Sequence, residues 1–231
     1  SMECTNPEPI TSIEERNITV QEIKQRAKAS FAAQSRAVTK QDYESLVYNM
    51  PPKFGAIKRA NIVNDPSSTN RRISLYVVAE DDSGNLTKAN PIIKNNIKNW
   101  LSSYKSLNDV IDILDAIIVN FKVEFFVTSD NRYDTNQVLF SCVDALKTYF
   151  ENIYYIGEPL YLSRLYETLN RVEGVVDVKN IRIKNVSGGI YAPTSLNMKQ
   201  LLSKDGTYYK IPNNVILELK YPSLDIKGTV K

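Results

Sequence analysis

The sequence predicts an α+β fold: two consecutive α/β layers, with largely antiparallel or mixed sheets covered by helices. Three observations predict it. Ala116–Thr128, AIIVNFKVEFFVT, is apolar at every second position from Ile117 through Val127, with Asn120, Lys122 and Glu124 between. Successive strand side chains point to opposite faces, so this run buries one face and wets most of the other. Over Ile117–Val127 it extends about 35 Å, long for a strand. Helical periodicities with start and stop signals flank it on both sides. Ahead of it lie two short alternating runs, joined by a connection too short for a crossover.

Taken in order, residues 3–17 are polar, contain Pro7 and Pro9, and read as a tail or the end of a preceding domain. Ser1-Met2 reads as a cleavage scar in front of a fragment. Val20–Gln34 has helical spacing at Val20, Ile23, Ala27 and Phe31. Arg36–Met50 is sharper. Thr39 and Asp42 have capping-box spacing, Val38 and Tyr43 have staple spacing, and Pro51-Pro52 stop the helix. Tyr43, Leu46, Val47 and Met50 form its stripe. Strands follow at about Ala56–Val63 and Arg72–Glu80, as an antiparallel hairpin turned by Asn64-Asp65-Pro66-Ser67-Ser68. After the polar loop Asp81–Gly84, Asn90 caps and Pro91 opens a helix with Ile93, Ile97, Trp100, Leu101 and Tyr104 inward. A short helical turn near Asn108–Leu114 leads into the central strand.

Beyond it, helices are expected at about Asp134–Asn152 and Pro159–Val172, separated by Gly157. A strand follows at Val175–Lys184, whose sidedness switches near Lys179-Asn180, as at a bulge. Val186–Lys210 reads as a long irregular stretch, and Val215–Tyr221 as a closing strand. The domains expected are residues 1–35 (tail and helix), 36–129 and 130–231, hinged near Ser129-Asp130-Asn131.

Composition narrows the function. The 231 residues carry a net charge of +3 and no histidine. The commonest general base and metal ligand is therefore missing, and two distant cysteines, Cys4 and Cys142, offer neither a zinc site nor a disulfide framework. Cys142 reads as a small buried hydrophobe on a helix stripe. Lys and Arg are scattered along the sequence, which predicts no nucleic-acid or anionic-membrane footprint. No apolar run approaches the ~20 residues of a membrane span. No nucleophile elbow, phosphate-binding glycine loop or calcium loop is present, so no catalytic, metal or cofactor residues are expected. Asp81-Asp82 with Gly84 reads as a solvated turn. Lys58-Arg59 and Arg71-Arg72 read as a wet strand face. The alternative class is a metal-dependent small-ligand or nucleotide-binding α/β enzyme, with Asp65, Glu80 and Asp130 following three strands. Tyrosine is the unusual residue, at 14 copies. Tyr191, Tyr208, Tyr209 and Tyr221 lie in or beside the long loop and last strand, where tyrosine suits protein–protein contact.

The wording RAVTKQDYESLV at Arg36–Val47 resembles the signature of the baseplate J-like family of contractile-tail phages. Asn99–Val127 is similar to that family's helix, short loop and long alternating strand. Gly157–Ile183 looks like its later helix and valine-rich strand. Within the family the wording is most like the C-terminal portion of the wedge proteins of T-even-type phages. The resemblance implies a non-enzymatic structural protein of the virion tail baseplate, assembled in the host cytoplasm. It implies a homodimer, set with other wedge and hub proteins in a ring that rearranges on host attachment.

Overall fold

A computed structural model describes residues 36–64, 72–81, 83–151 and 155–231. The expected N-terminal tail and the Val20–Gln34 helix lie outside them, as do Asp65–Arg71, Asp82 and the end of the helix expected to reach Asn152. The described residues form an α+β fold with mixed sheets covered by helices, as the alternating and helical patterns predict.

The first layer begins with helix α1, Lys40–Tyr48. The Thr39 hydroxyl accepts from the Asp42 N–H at 3.2 Å, and the Asp42 carboxylate accepts from the Thr39 N–H at 2.8 Å. Both orphan donors are satisfied reciprocally, as a capping box requires. Strands β1 (Arg59–Asn64) and β2 (Arg72–Glu80) pair antiparallel, and β3 (Leu86–Thr87) adds to the end of β2. Helix α2, Pro91–Ser102, opens on Asn90, whose Oδ1 accepts from the Ile92 N–H at 3.0 Å. The Trp100 indole N–H donates to the Leu46 carbonyl at 2.9 Å and ties α2 to α1. Both helices cover one face of the sheet through Tyr43, Val47, Ile62, Leu75, Val77, Ile97 and Leu101.

The expected helical turn at Asn108–Leu114 is instead a strand, β4 (Val110–Asp115), parallel to β2. Its spacing fits either state. Pairing to β2 decides for the strand, with Ile111 and Ile113 joining the core under the helices.

The second layer is built on β5, Ile117–Ser129. Sheet membership changes at Ala116, between β4 in the first sheet and β5 in the second. Strand β7 (Val175–Val186) pairs antiparallel along one side of β5. The register shifts beside Lys179, between the Phe126–Asn180 and Val127–Val178 pairs, which is the bulge that the sidedness switch requires. On the other side lie β9 (Val215–Glu218), parallel to Ile117–Asn120, and β10 (Ile226–Val230), parallel to Val123–Val127. The chain therefore does not close at Tyr221. It makes the short turn α6 (Pro222–Asp225) and returns to the same side of β5.

Helices α3 (Thr135–Glu151) and α4 (Leu162–Asn170) cover the inner face of this sheet. Val119, Phe121, Val123, Phe125 and Val127 pack there against Val138, Cys142, Leu146, Leu165 and Leu169. Burial of each large apolar group contributes roughly 1.5–3 kcal/mol. Burial also pushes the Cys142 thiol up to about 11, so it stays protonated and inert. The long loop carries a short helix, α5 (Met198–Leu201), and the strand β8 (Tyr208–Tyr209), which pairs antiparallel with β6 (Leu160–Tyr161) ahead of α4. None of the helices among the described residues is long and apolar enough to cross a membrane.

Candidate interaction surface

The outer face of the second sheet has two halves. At the first half the layers meet. Val78 of β2 packs with Ala116, Ile156 and Ile216, flanked by Tyr76, Leu86 and Ile118. Two polar side chains go into this junction. Asn120 is 1% exposed and Glu218 is 9% exposed. Glu218 Oε1 accepts from the Leu86 N–H at 2.6 Å and Oε2 from the Asn120 amide at 2.7 Å. Asn120 Oδ1 in turn accepts from the Ala192 N–H at 2.7 Å. Burial raises the Glu218 carboxyl above its ordinary range, outweighing the two donors that favour its charged form. Asn120 was expected on the wet side of the strand. The alternation is right, but β3 and the loop around Ala192 cover that end.

A second buried carboxylate marks the border. Asp225, fully buried, accepts from the Tyr191 hydroxyl at 2.6 Å and from the Tyr221 N–H at 2.9 Å. Lys122 Nζ stands 3.6 Å from it and 5.1 Å from the centre of the Tyr191 ring. Tyr191 and Tyr221 meet edge to face at 5.9 Å. The Lys220 ammonium donates to the Ile190 carbonyl at 2.6 Å, which pins the loop. Because its proton is shared with Asp225, the Tyr191 hydroxyl is pushed up to about 12.

Past this border the second half is open among the described residues, with Arg182, Lys184, Lys227 and Thr229 exposed. Reading across the strands, Lys122 stands beside Lys184, Glu124 lies between Lys227 and Arg182, and Phe126 lies between Thr229 and Asn180. Lys184 pairs with Glu124 at 2.6 Å and Lys179 with Asp177 at 2.9 Å. The Lys231 ammonium stands 5.9 Å from the Phe126 ring centre, which places it on the same face. Among the described residues, Arg182 and Lys227 are exposed cations with no ion-pair partner within 4.0 Å.

The four tyrosines part company. Tyr191 and Tyr221 frame the border just described. Tyr208 is half-buried and stacks on Tyr161 at 5.6 Å, with the Arg164 guanidinium 5.1 Å from the Tyr161 ring. Tyr208 also lines a groove of about 410 Å3 with Leu202, Ser203 and Lys210. Tyr209 is only 8% exposed and belongs to the core against Leu160 and Ile211, so its ring is not available at a surface. Its strand neighbour alternates to the other side, a distinction that a two-residue ribbon does not advertise in the sequence.

Lys58, Arg59 and Arg72 of the hairpin are engaged within the chain, and Arg71 lies outside the described residues. Lys58 pairs with Glu80 at 2.7 Å and Arg72 with Asp112 at 2.9 Å, while Arg59 stacks on Tyr155 at 4.8 Å. Asp81 is a turn residue, its carboxyl held below the ordinary range by the Asn85 N–H. Of the acids weighed for a metal, Asp65 lies outside the described residues, and Asp130 accepts from the Arg132 N–H. Among the described residues no group of three or more Cys, Asp or Glu side chains is placed to hold a metal ion.

No family model matches the sequence, and no curated protein matches it. Among solved structures, the chain is similar to one in the cryo-EM structure of the anti-feeding prophage baseplate, with a TM-score of 0.53. The likeness is one of fold. The likeness covers 87% of this chain and 42% of that one, at 16% identity. The chain thus spans less than half the length of the baseplate chain it matches.

Proposed function

We propose that this chain is a structural part of a contractile-tail baseplate, a wedge or inner-ring subunit that acts through protein–protein assembly. The observation that carries the reading is the baseplate-like fold over 87% of the chain. It is joined by the RAVTKQDYESLV wording at Arg36–Val47, which opens the first layer with a formed capping box. In this reading the chain is the C-terminal portion of a longer polypeptide. It pairs with a second copy, sits in a ring with other wedge and hub subunits, and works without a reaction of its own.

Tyr191, Tyr208 and Tyr221 are the proposed aromatic contacts, all half-buried with edges at the surface. Tyr209 supports the fold beneath them. Crosslinking mass spectrometry on the intact tail particle tests the assignment. Crosslinks from this chain to other baseplate subunits are expected, and a particle containing the chain only outside its baseplate would refute it. Sedimentation of the 231-residue chain tests the homodimer separately. A strictly monomeric species at tens of micromolar removes the dimer and leaves ring assembly standing.

A further inference from the structure

We infer that the open half of the second sheet's outer face is a docking surface for an acidic protein segment. Six cations share it: Lys122, Lys179, Arg182, Lys184, Lys227 and Lys231. Three carboxylates stand against them: Glu124, Asp177 and the buried Asp225. The surplus of three positive charges equals the net charge of the whole chain, so the remainder of the protein is neutral overall. Five of the cations come from three strands whose pairing brings them together, although they are scattered in sequence, and Lys231 directly follows the last of these strands.

The arrangement favours carboxylates arriving singly. Arg182 and Lys227 flank Glu124 across the strands and lack ion-pair partners among the described residues, whereas Lys184 and Lys179 are already paired. A guanidinium accepts a carboxylate bidentately, and a partner's Asp and Glu side chains can settle between the face's own carboxylates. A nucleic-acid duplex carries one charge per ~1.7 Å of its axis, which would force phosphates against Glu124 and Asp177. The half-buried Phe126 in the middle gives the partner an apolar contact between the charges. Complementary charge of this kind sets orientation and speeds encounter. The inference stands on the charge of this face and does not need the baseplate reading.

The test titrates the 231-residue chain with fluorescent poly-L-glutamate and, separately, with a DNA duplex of matched charge. Poly-L-glutamate should bind, more weakly as salt rises. The Arg182→Glu/Lys227→Glu variant should lose at least about tenfold in affinity, the equivalent of about 1.4 kcal/mol. Lys53→Glu/Lys98→Glu, which reverses two exposed cations on the helical side of the first sheet, should bind as the parent does. The Arg182→Gln/Lys227→Gln pair, with its melting temperature recorded, decides the matter if the double reversal does not fold. Equal losses in the two reversal variants, no binding at all, or tighter binding of the duplex than of poly-L-glutamate would overturn the inference. The particle crosslinks would be unaffected by any of these results.

Discussion

The two halves of the outer face of β5 carry the same alternation and meet opposite fates. Asn120 and Glu124 stand two pleats apart on one side of one strand. The first is buried under β3 and the Ala192 loop, and the second is wet and paired with Lys184. The alternation of a strand specifies which side chains share a face. It does not specify whether another layer lands on that face. Here the Asn120 and Glu218 side chains at the covered end are hydrogen-bonded, as buried polar groups usually are. At the open end Glu124 and Lys184 pair with each other while both stay in contact with water.

The sharpest way to break the comparison is to cut the carboxylate at the covered end. Glu218→Ala leaves the Leu86 N–H and the Asn120 amide buried without their acceptor, and should cost about 3 kcal/mol. Chemical denaturation measures it. A loss no larger than that of an exposed substitution would mean that the two layers do not meet at this junction.

Next is Gly228→Ala, on the inner side beneath the open half. A Cβ there would drive into the Phe125 ring and come within 2.5 Å of Leu139 Cδ1. Overpacking of this kind typically costs about 1–3 kcal/mol. The expected drop in melting temperature would show that the open half is loose on its outer side only. Tyr191→Phe comes third, at about 1–2 kcal/mol, because Asp225 stays buried with one donor fewer. Its expected signature is a faster proteolytic cut in the loop around Ile190, with the core still protected.

Glu218 also gives the covered half a pH signature. Its carboxyl is raised above the ordinary 4.5 by burial, so the folded chain holds that proton more tightly than the unfolded chain does. The stabilisation is complete below about pH 4.5 and is lost as pH rises through the folded value. Asp42 runs the other way. Burial pushes its carboxyl up, but the Thr39 and Val38 N–H groups outweigh that and hold it below 3.8. Its contribution is present above 3.8 and is lost as pH falls. Wild type minus Glu218→Gln should therefore shrink from pH 4.5 to 7, while wild type minus Asp42→Asn should grow from pH 3 to 5. Thermal melts across that range check both signs.

What was legible in the sequence follows the same division. The Thr39 capping box, the Asn90-Pro91 helix start, the long β5 and the bulge at Lys179 are fixed by neighbours a few residues away, and each is present. Strand β4 was hidden because Ile111 and Leu114 suit a helical turn as well as a strand, and only β2 arbitrates. Strand β10 was hidden by Gly228, a poor strand residue kept because Phe125 and Leu139 leave no room for a side chain. Burial of Asn120 and Tyr209, and the cationic face, depend on pairings between strands far apart in sequence, such as Lys227 with Glu124. Residue spacing along one strand carries no record of them.

The smallest effect is the most informative about the open half. Lys184→Ala removes the partner of Glu124 from a surface where both side chains are substantially solvated. Exposed ion pairs of this kind contribute about 0–1 kcal/mol, because water screens the charges and ordering two long side chains costs entropy. Arg182 and Lys227 still flank Glu124 after the substitution, so its charge is not stranded. Stability should therefore change by less than about 0.5 kcal/mol by denaturant titration. A loss approaching that of Glu218→Ala would mean that the open half is itself covered in the isolated chain, and the contrast between the two ends of β5 would disappear.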